Sequence, residues 1–287
     1  MKLPGPIVSV EWLTAPIAVR IIEPNLVVAD VRWYPDGTGR ARFEEGHIPG
    51  AVFVDVDNDL ASPKTAESGR HPLPSPDAFA QAMERAGIGD EEPVVAYDDT
   101  GGSNAARLWW MLSVIGHEVA VLDGGLQAWT GPLEMGPSVP RPGGGRFTPR
   151  PWPRDRIVDA EAVDRLRRDP NAVLLDARAS ERYRAEVEPI DPVAGHIPEA
   201  RNAPWNDNLD PRTGRFRSPE DLRRRYGTKG VGQAREVVAY CGSGVTSCHD
   251  LLALELAGIH GAKLYVGSWS EWITDPSREV ARGSDPG

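Results

Sequence analysis

The stretch VVAYCGSGVTSCHD, residues 237–250, holds the residues best suited to chemistry. Four apolar residues lead into Cys241, and Gly242 and Gly244 follow within three positions. Glycine admits backbone angles that other residues resist. A tight loop of this kind turns successive N–H groups inward and makes a nest for an anion. A helix opening near Thr246 would add the positive end of its dipole. A thiol in such a cradle loses its proton more easily and becomes a nucleophile. The second cysteine, Cys248, falls among Leu251, Leu252 and Leu254 on that helix and reads as core.

The spacing excludes two other uses of cysteine. Zinc requires several Cys and His at metal-ligand spacings, and Cys248 and His249 are adjacent, so they point to different sides of a helix. A phosphate-cleaving cysteine enzyme requires an arginine closing the loop to grip a dianion. Position 247 is serine here, so the loop by itself is small and neutral.

The elements that position Cys241 occur twice. LVVADVRW (26–33) matches AVLLDARA (172–179), and GHIPGAVFVDVDNDL (46–60) matches GHIPEARNAPWNDNL (195–209). PVVAYDDTGGSNAARLWWML (93–112) matches EVVAYCGSGVTSCHDLLALE (236–255), and VAVLDGGLQAW (119–129) matches AKLYVGSWSEW (262–272). Four blocks in the same order, about 145 residues apart, indicate a duplicated domain. In the first copy Asp98 stands where the second has Cys241.

Each copy alternates strands and helices. Leu26–Ala29, Val94–Tyr97, Leu174–Leu175 and Val237–Tyr240 are short and apolar, as strands buried on both faces are. Helices are predicted over Ser75–Ala86, Ala105–Ile115, Ala160–Arg168, Pro219–Tyr226 and Ser247–Ala257, with Gly87, Gly116 and Gly258 at their C-terminal ends. Such alternation gives an α/β fold, a parallel sheet flanked by helices in each domain. Residues 131–153 are dense in Pro and Gly. The expected boundaries are a domain over 1–135, a linker over 136–153 and a domain over 154–287.

The bulk composition narrows the partners. The chain has 287 residues, 26% of them charged, and a formal net charge of −10. That balance argues against nucleic acid or an anionic membrane as partner. No apolar run approaches the roughly 18 residues of a membrane span, and the N-terminus lacks a secretory pattern. Two cysteines make no disulfide framework, so the cytoplasm is the expected compartment.

With these residues in view, the chain resembles the tandem-domain rhodanese family of sulfurtransferases over nearly its whole length. CGSGVT (241–246) is similar to the active loop of members that use 3-mercaptopyruvate. Both GHIP copies and GSWSEW (267–272) match as well. The resemblance implies two rhodanese-like domains, a catalytic C-terminal one and an N-terminal one without its cysteine. It implies that the Cys241 thiolate takes the outer sulfur of a small-molecule donor as a persulfide, held by the N–H groups of Gly242, Ser243, Gly244, Val245 and Thr246. A small thiol, thioredoxin or cyanide then removes the sulfur, without cofactor or metal. Arg182 matches the family's carboxylate-binding arginine. Asp57 and His71 match positions proposed to relay a proton through Ser243, which is sound acid–base logic for a hydroxyl. His47 and His196 recur in both halves and read as structural, and Trp33, Trp109 and Trp110 as core or interface.

The donor is less constrained. Basic residues occupy the loop of the family's thiosulfate enzymes, and Gly242–Ser243 are neutral, which favours 3-mercaptopyruvate. Against it, the second arginine expected just before the second GHIP aligns with Ile190, leaving Arg184 as a possible substitute. Thiosulfate:cyanide transfer and a non-catalytic rhodanese-like binding module are the alternatives.

Overall fold

The computed structural model describes residues 2–14, 25–137 and 145–287. The chain divides into two compact units. The first comprises Met1–Ser62, Leu73–Trp152 and Thr213–Arg215; the second comprises Pro63–Pro72, Pro153–Arg212 and Phe216–Gly287.

In the first unit the strands β1 (Ile7–Val8), β2 (Val27–Asp30), β3 (Val52–Phe53), β4 (Val94–Tyr97) and β5 (Val119–Leu122) form one sheet in the order β1-β5-β4-β2-β3. Every pairing is parallel. The central strands β2, β4 and β5 are buried along their whole length, which is why their sequences are continuous apolar runs rather than alternations. Among the described residues its helices are α1 (Val10–Thr14), α2 (Gly39–Glu45), α3 (Pro76–Arg85), α4 (Ala105–Val114) and α5 (Gly125–Ala128). The Ser75 side chain caps α3 by accepting the Ala78 N–H, with Pro76 at the first turn.

The second unit repeats this plan. Its strands are β6 (Ile157–Val158), β7 (Ala172–Asp176), β8 (Arg201–Asn202), β9 (Glu236–Tyr240) and β10 (Lys263–Tyr265), in the order β6-β10-β9-β7-β8, again all parallel. Its helices are α6 (Ala160–Leu166), α7 (Ser180–Tyr183), α8 (Pro219–Gly227), α9 (Ser247–Leu256) and α10 (Ser268–Trp272). The predicted helices are all present, and Gly87, Gly116 and Gly258 adopt positive φ of 72°, 77° and 74° just beyond three of them.

The same side-chain contacts hold both copies together. Asp30 binds the Arg32 guanidinium, which also donates to the Gly46 carbonyl at 2.8 Å. Asp176 binds Arg178, which donates to the Gly195 carbonyl at 2.7 Å. The Tyr97 hydroxyl accepts the Ile48 N–H at 3.1 Å, and the Tyr240 hydroxyl accepts that of Ile197 at the same distance. His47 stacks on Phe43 and His196 on Tyr183, ring centroids 3.8 and 3.6 Å apart, each with Nδ1 2.8 Å from the carbonyl of the residue it stacks on. Both histidines are buried inside their units. Trp109 and Trp110 lie in the first unit's core.

The expected linker requires correction. Residues 138–144 lie outside the described residues, but 145–152 pack on the first unit. Phe147 is buried edge-on against Phe79, and Trp152 stacks at 6.5 Å on Trp110. Thr148 and Arg150 bond to Asp90. Packing of two aromatic rings, Phe147 buried and Trp152 half-buried, outweighs the backbone preference of a Pro-rich strip. The domain boundary also shifts, because Pro63–Pro72 belongs to the second unit.

The Tyr97 hydroxyl gives a direct test of this packing. Tyr97→Phe should leave the buried Ile48 N–H without its acceptor and cost about 1–3 kcal/mol. Urea unfolding monitored by circular dichroism measures it, and an unchanged midpoint would remove the tyrosine from the list of structural anchors.

Candidate active site

The second unit's loop begins where β9 ends. The Cys241 side chain is only 2% exposed. Its sulfur accepts the N–H of Gly244 at 3.1 Å and of Ser243 at 3.4 Å. Gly244 has φ +79°, and a Cβ there would lie 2.5 Å from the Val266 carbonyl oxygen, so only glycine fits the turn. The Cys248 N–H bonds to the Val245 carbonyl at 3.1 Å and the His249 N–H to that of Thr246, which starts α9 directly behind the sulfur.

Burial raises the Cys241 pKa, but the Thr246 hydroxyl, the Ser243 N–H and Ser247 pull it down, and the net shift is below the usual thiol value. Cys248 is fully buried and its thiol donates to the Gly244 carbonyl at 3.3 Å, so it braces the loop from the helix side.

GSWSEW supports the loop from the other side. Ser268, at φ +54°, accepts the Cys241 N–H at 3.1 Å and donates to the Tyr265 carbonyl. Trp269 and Ser270 donate their N–H groups to the carbonyls of Cys241 and Gly242, both at 3.0 Å. The Trp269 ring is covered by the Arg178 guanidinium at 4.6 Å.

His71 belongs to this unit through the Pro63–Pro72 segment, and its Nδ1 lies 2.7 Å from the Ser243 hydroxyl oxygen. Asp57 belongs to the first unit, where its carboxylate accepts the Trp33 indole N–H at 2.8 Å. Arg182 reaches the loop. Its two terminal nitrogens lie 3.7 and 3.8 Å from the point where a Gly242 Cβ would stand. Arg184 does not; its guanidinium pairs with Glu186 at the surface.

One basic residue was not read from the sequence. Arg70 places a terminal nitrogen 2.6 Å from the same Gly242 point. Its ion-pair partner is Asp191, which also binds Arg182 at 3.1 Å. Arg182 binds Glu188 at 2.6 Å, and Glu188 is 3.5 Å from Arg178. The loop is therefore neutral in sequence but overlain by two guanidinia in space. Burial raises the Asp191 pKa and Glu188 adds to that, against the arginines, for a net upward shift. For Glu188 burial also raises the pKa, but hydrogen bonds from Arg182 and from backbone N–H groups outweigh it and the shift is downward. The only signal for Arg70 in the sequence was its place beside His71.

The first unit's loop carries a different acidic group. The buried Asp98 carboxylate accepts the N–H groups of Thr100, Gly102, Asn104 and Ala105 at 2.7–2.9 Å. Burial pushes this carboxyl up while the four N–H groups pull it down, with a net upward shift. Among the described residues no group of three or more His, Cys, Asp or Glu could hold a metal, and no helix is long and apolar enough to cross a membrane.

Known proteins match this arrangement closely. The rhodanese-like domain family matches twice, at residues 14–132 and 159–275. A protein of Pseudomonas aeruginosa named a probable 3-mercaptopyruvate sulfurtransferase is 47% identical, covering 96% of this chain and 99% of its own. The thiosulfate sulfurtransferase of Rattus norvegicus is 35% identical, covering 96% and 95%. The crystal structure of SseA from Escherichia coli, a 3-mercaptopyruvate sulfotransferase, superposes with a TM-score of 0.78 at 32% identity, covering 93% of this chain and 100% of that one. Two copies of the domain, a free cysteine in the second copy's loop and full-length likeness to these enzymes lead to one conclusion: the chain belongs to the tandem-domain rhodanese family of sulfurtransferases.

Proposed function

We propose that the protein takes the thiol sulfur of 3-mercaptopyruvate as the sulfane sulfur of a Cys241 persulfide and passes it to a thiol. The observation that carries this is the pair of loop N–H groups on a buried sulfur, with the Ser243 hydroxyl beside it bonded to a histidine. The Cys241 thiolate attacks the donor sulfur. An S–S bond forms, the C–S bond breaks, and its electron pair leaves as pyruvate enolate. The enolate takes a proton and becomes pyruvate; the hydrogen bond between His71 and the Ser243 hydroxyl supports these two as its source. The persulfide ends as an anion, and the N–H groups that hold the resting sulfur are suited to hold it. A second thiol then attacks the outer sulfur and regenerates Cys241. A small thiol or thioredoxin meets that requirement, and a free active cysteine suits a reducing compartment such as the cytoplasm.

A hydroxyl and near-balanced charge favour a monocarboxylate over the thiosulfate dianion. The Arg70 and Arg182 charges are offset by Glu188 and Asp191, so a second negative charge gains little there. Thiosulfate is the second reading, favoured by the two guanidinia above Gly242. Parallel kcat/KM measurements with the two donors separate them, and a wild type preferring thiosulfate would reverse the assignment.

Two further outcomes are expected. Intact mass after incubation with 3-mercaptopyruvate should rise by one sulfur atom and return on adding a reducing thiol. Cys241→Ser should gain nothing, because serine is far less nucleophilic at neutral pH. Cys248→Ala should load normally and lose about 1 kcal/mol of stability, on the scale of a small core truncation. Sulfur loading in Cys241→Ser would sink the mechanism.

The pH dependence has a defined sign. A depressed thiol pKa means that reactive thiolate grows in as pH rises through a midpoint below that of an ordinary thiol. Alkylation of Cys241 by iodoacetamide should follow that curve. Thr246→Val removes the strongest downward pull and should move the midpoint up. A midpoint that stays in place would show that the hydroxyl does not tune the thiol.

A further inference from the structure

The glycine at 242 poses a specific question. Unlike Gly244, it does not need a left-handed backbone. What a side chain would meet there is the Arg70 guanidinium, 2.6 Å away, with that of Arg182 just beyond. Two chain segments more than a hundred residues apart thus bring their cations to one point beside the nucleophile. The space over Gly242 is kept for these groups and whatever they bind.

Arg70 is fixed there by the backbone. Gly69 lies so close to Gly267 that a Cβ would stand 2.4 Å from its carbonyl oxygen, and the Arg70 N–H donates to the Ser270 hydroxyl at 3.0 Å. The 69–70 strip is therefore pressed flat on the same GSWSEW turn that braces the Cys241 loop. Asp191 finishes the arrangement: one oxygen takes Arg70 and the other takes Arg182. Nη2 of Arg70, the atom nearest Gly242, has no bond to another described residue. The Arg70 side chain is 24% exposed, so a small anion can reach it from solvent.

We infer that Arg70 and Arg182 together bind the carboxylate of the donor, Arg70 standing in for the second arginine that the resemblance assigns to the position of Ile190. This rests on the 3-mercaptopyruvate reading and adds the residue that orients that donor. A guanidinium offers paired N–H donors that match a carboxylate in plane. Two of them on one carboxylate fix the direction of the C–S bond relative to Cys241. Ile190 contributes nothing of the kind: its side chain is apolar and 57% exposed, and its N–H goes to Glu188.

A purely structural Arg70, tying the 63–72 segment to Asp191, would affect every donor alike. A carboxylate ligand would not. The test compares 3-mercaptopyruvate with 1-mercapto-2-propanone, the same ketone without the carboxylate, in wild type, Arg70→Met and Arg70→Lys, at fixed ionic strength and with one thiol acceptor. In Arg70→Met the kcat/KM ratio of the two donors should fall by about tenfold to a hundredfold against the carboxylate donor, the worth of a charged hydrogen bond, chiefly through KM. Arg70→Lys keeps the charge without the fork and should fall between. A ratio that stays the same in Arg70→Met, whether both rates drop or neither does, overturns the assignment and leaves the donor reading intact. A wild type that ignores 3-mercaptopyruvate overturns both.

Discussion

A buried acidic group at the carboxyl end of the middle strand governs the architecture of each unit. An uncompensated charge there would cost several kcal/mol. The sequence VVAY therefore runs directly into a loop whose N–H groups face one atom. In the second unit that atom is the Cys241 sulfur; in the first it is the Asp98 carboxylate. Much of the surrounding structure serves this demand. Gly244 turns the backbone, α9 points its N-terminus at the sulfur, and Ser268 and Ser270 fix the loop's outer groups. The two copies meet the demand differently. A carboxylate has two oxygens and fills its nest with four N–H bonds, leaving no reactive atom. A thiolate has one sulfur, takes two of the N–H bonds, and remains able to attack or to carry a second sulfur.

The repeat made the fold legible. Apolar runs named β2, β4, β7 and β9, though not β5 or β10, because strands buried on both faces cannot alternate, and glycine marked the helix ends because a positive φ excludes most other residues. Cys241 and its loop were readable for the same reason: a nest is a local structure, encoded in consecutive residues. The edge strands β1, β3, β6 and β8 were not named, since each has only two residues and no pattern survives at that length. The strip 145–152 was misread because proline and glycine serve linkers and packed extended segments alike. Its tie to the core is carried by Phe147 and Trp152, and their partners Phe79 and Trp110 lie far away in sequence.

The basic half of the site was hidden for a related reason. Arg182 is close to Glu188 and Asp191 in the chain, so its surroundings are nearly local. Arg70 comes from the opposite half of the sequence, in a segment whose composition reads as a plain loop. Its position depends on Gly69 against Gly267 and on Asp191, all long-range contacts. The sequence therefore gave a neutral loop and a missing arginine, two signals pointing to different donors. In space Arg70 lies over the loop beside Arg182, and the proposed role for it would reconcile the two signals.

That arrangement would let the proposed site take an anion without making it a general anion trap. The charges alternate from Arg178 to Glu188, Arg182, Asp191 and Arg70. Each carboxylate is shared between two guanidinia, so no cation is left fully uncompensated in a low-dielectric pocket. A ligand carboxylate must therefore compete with Asp191 and Glu188 for the guanidinium N–H groups. The gain from charge alone is small, and geometry decides: an anion that also fits its reactive sulfur against Cys241 and its keto oxygen near a hydroxyl gains the most. Free inorganic anions lack those additional contacts. On the proposed reading, selectivity would come from the shape imposed by these five charges rather than from net positive charge, which fits a chain carrying a formal charge of −10 acting on an anionic donor.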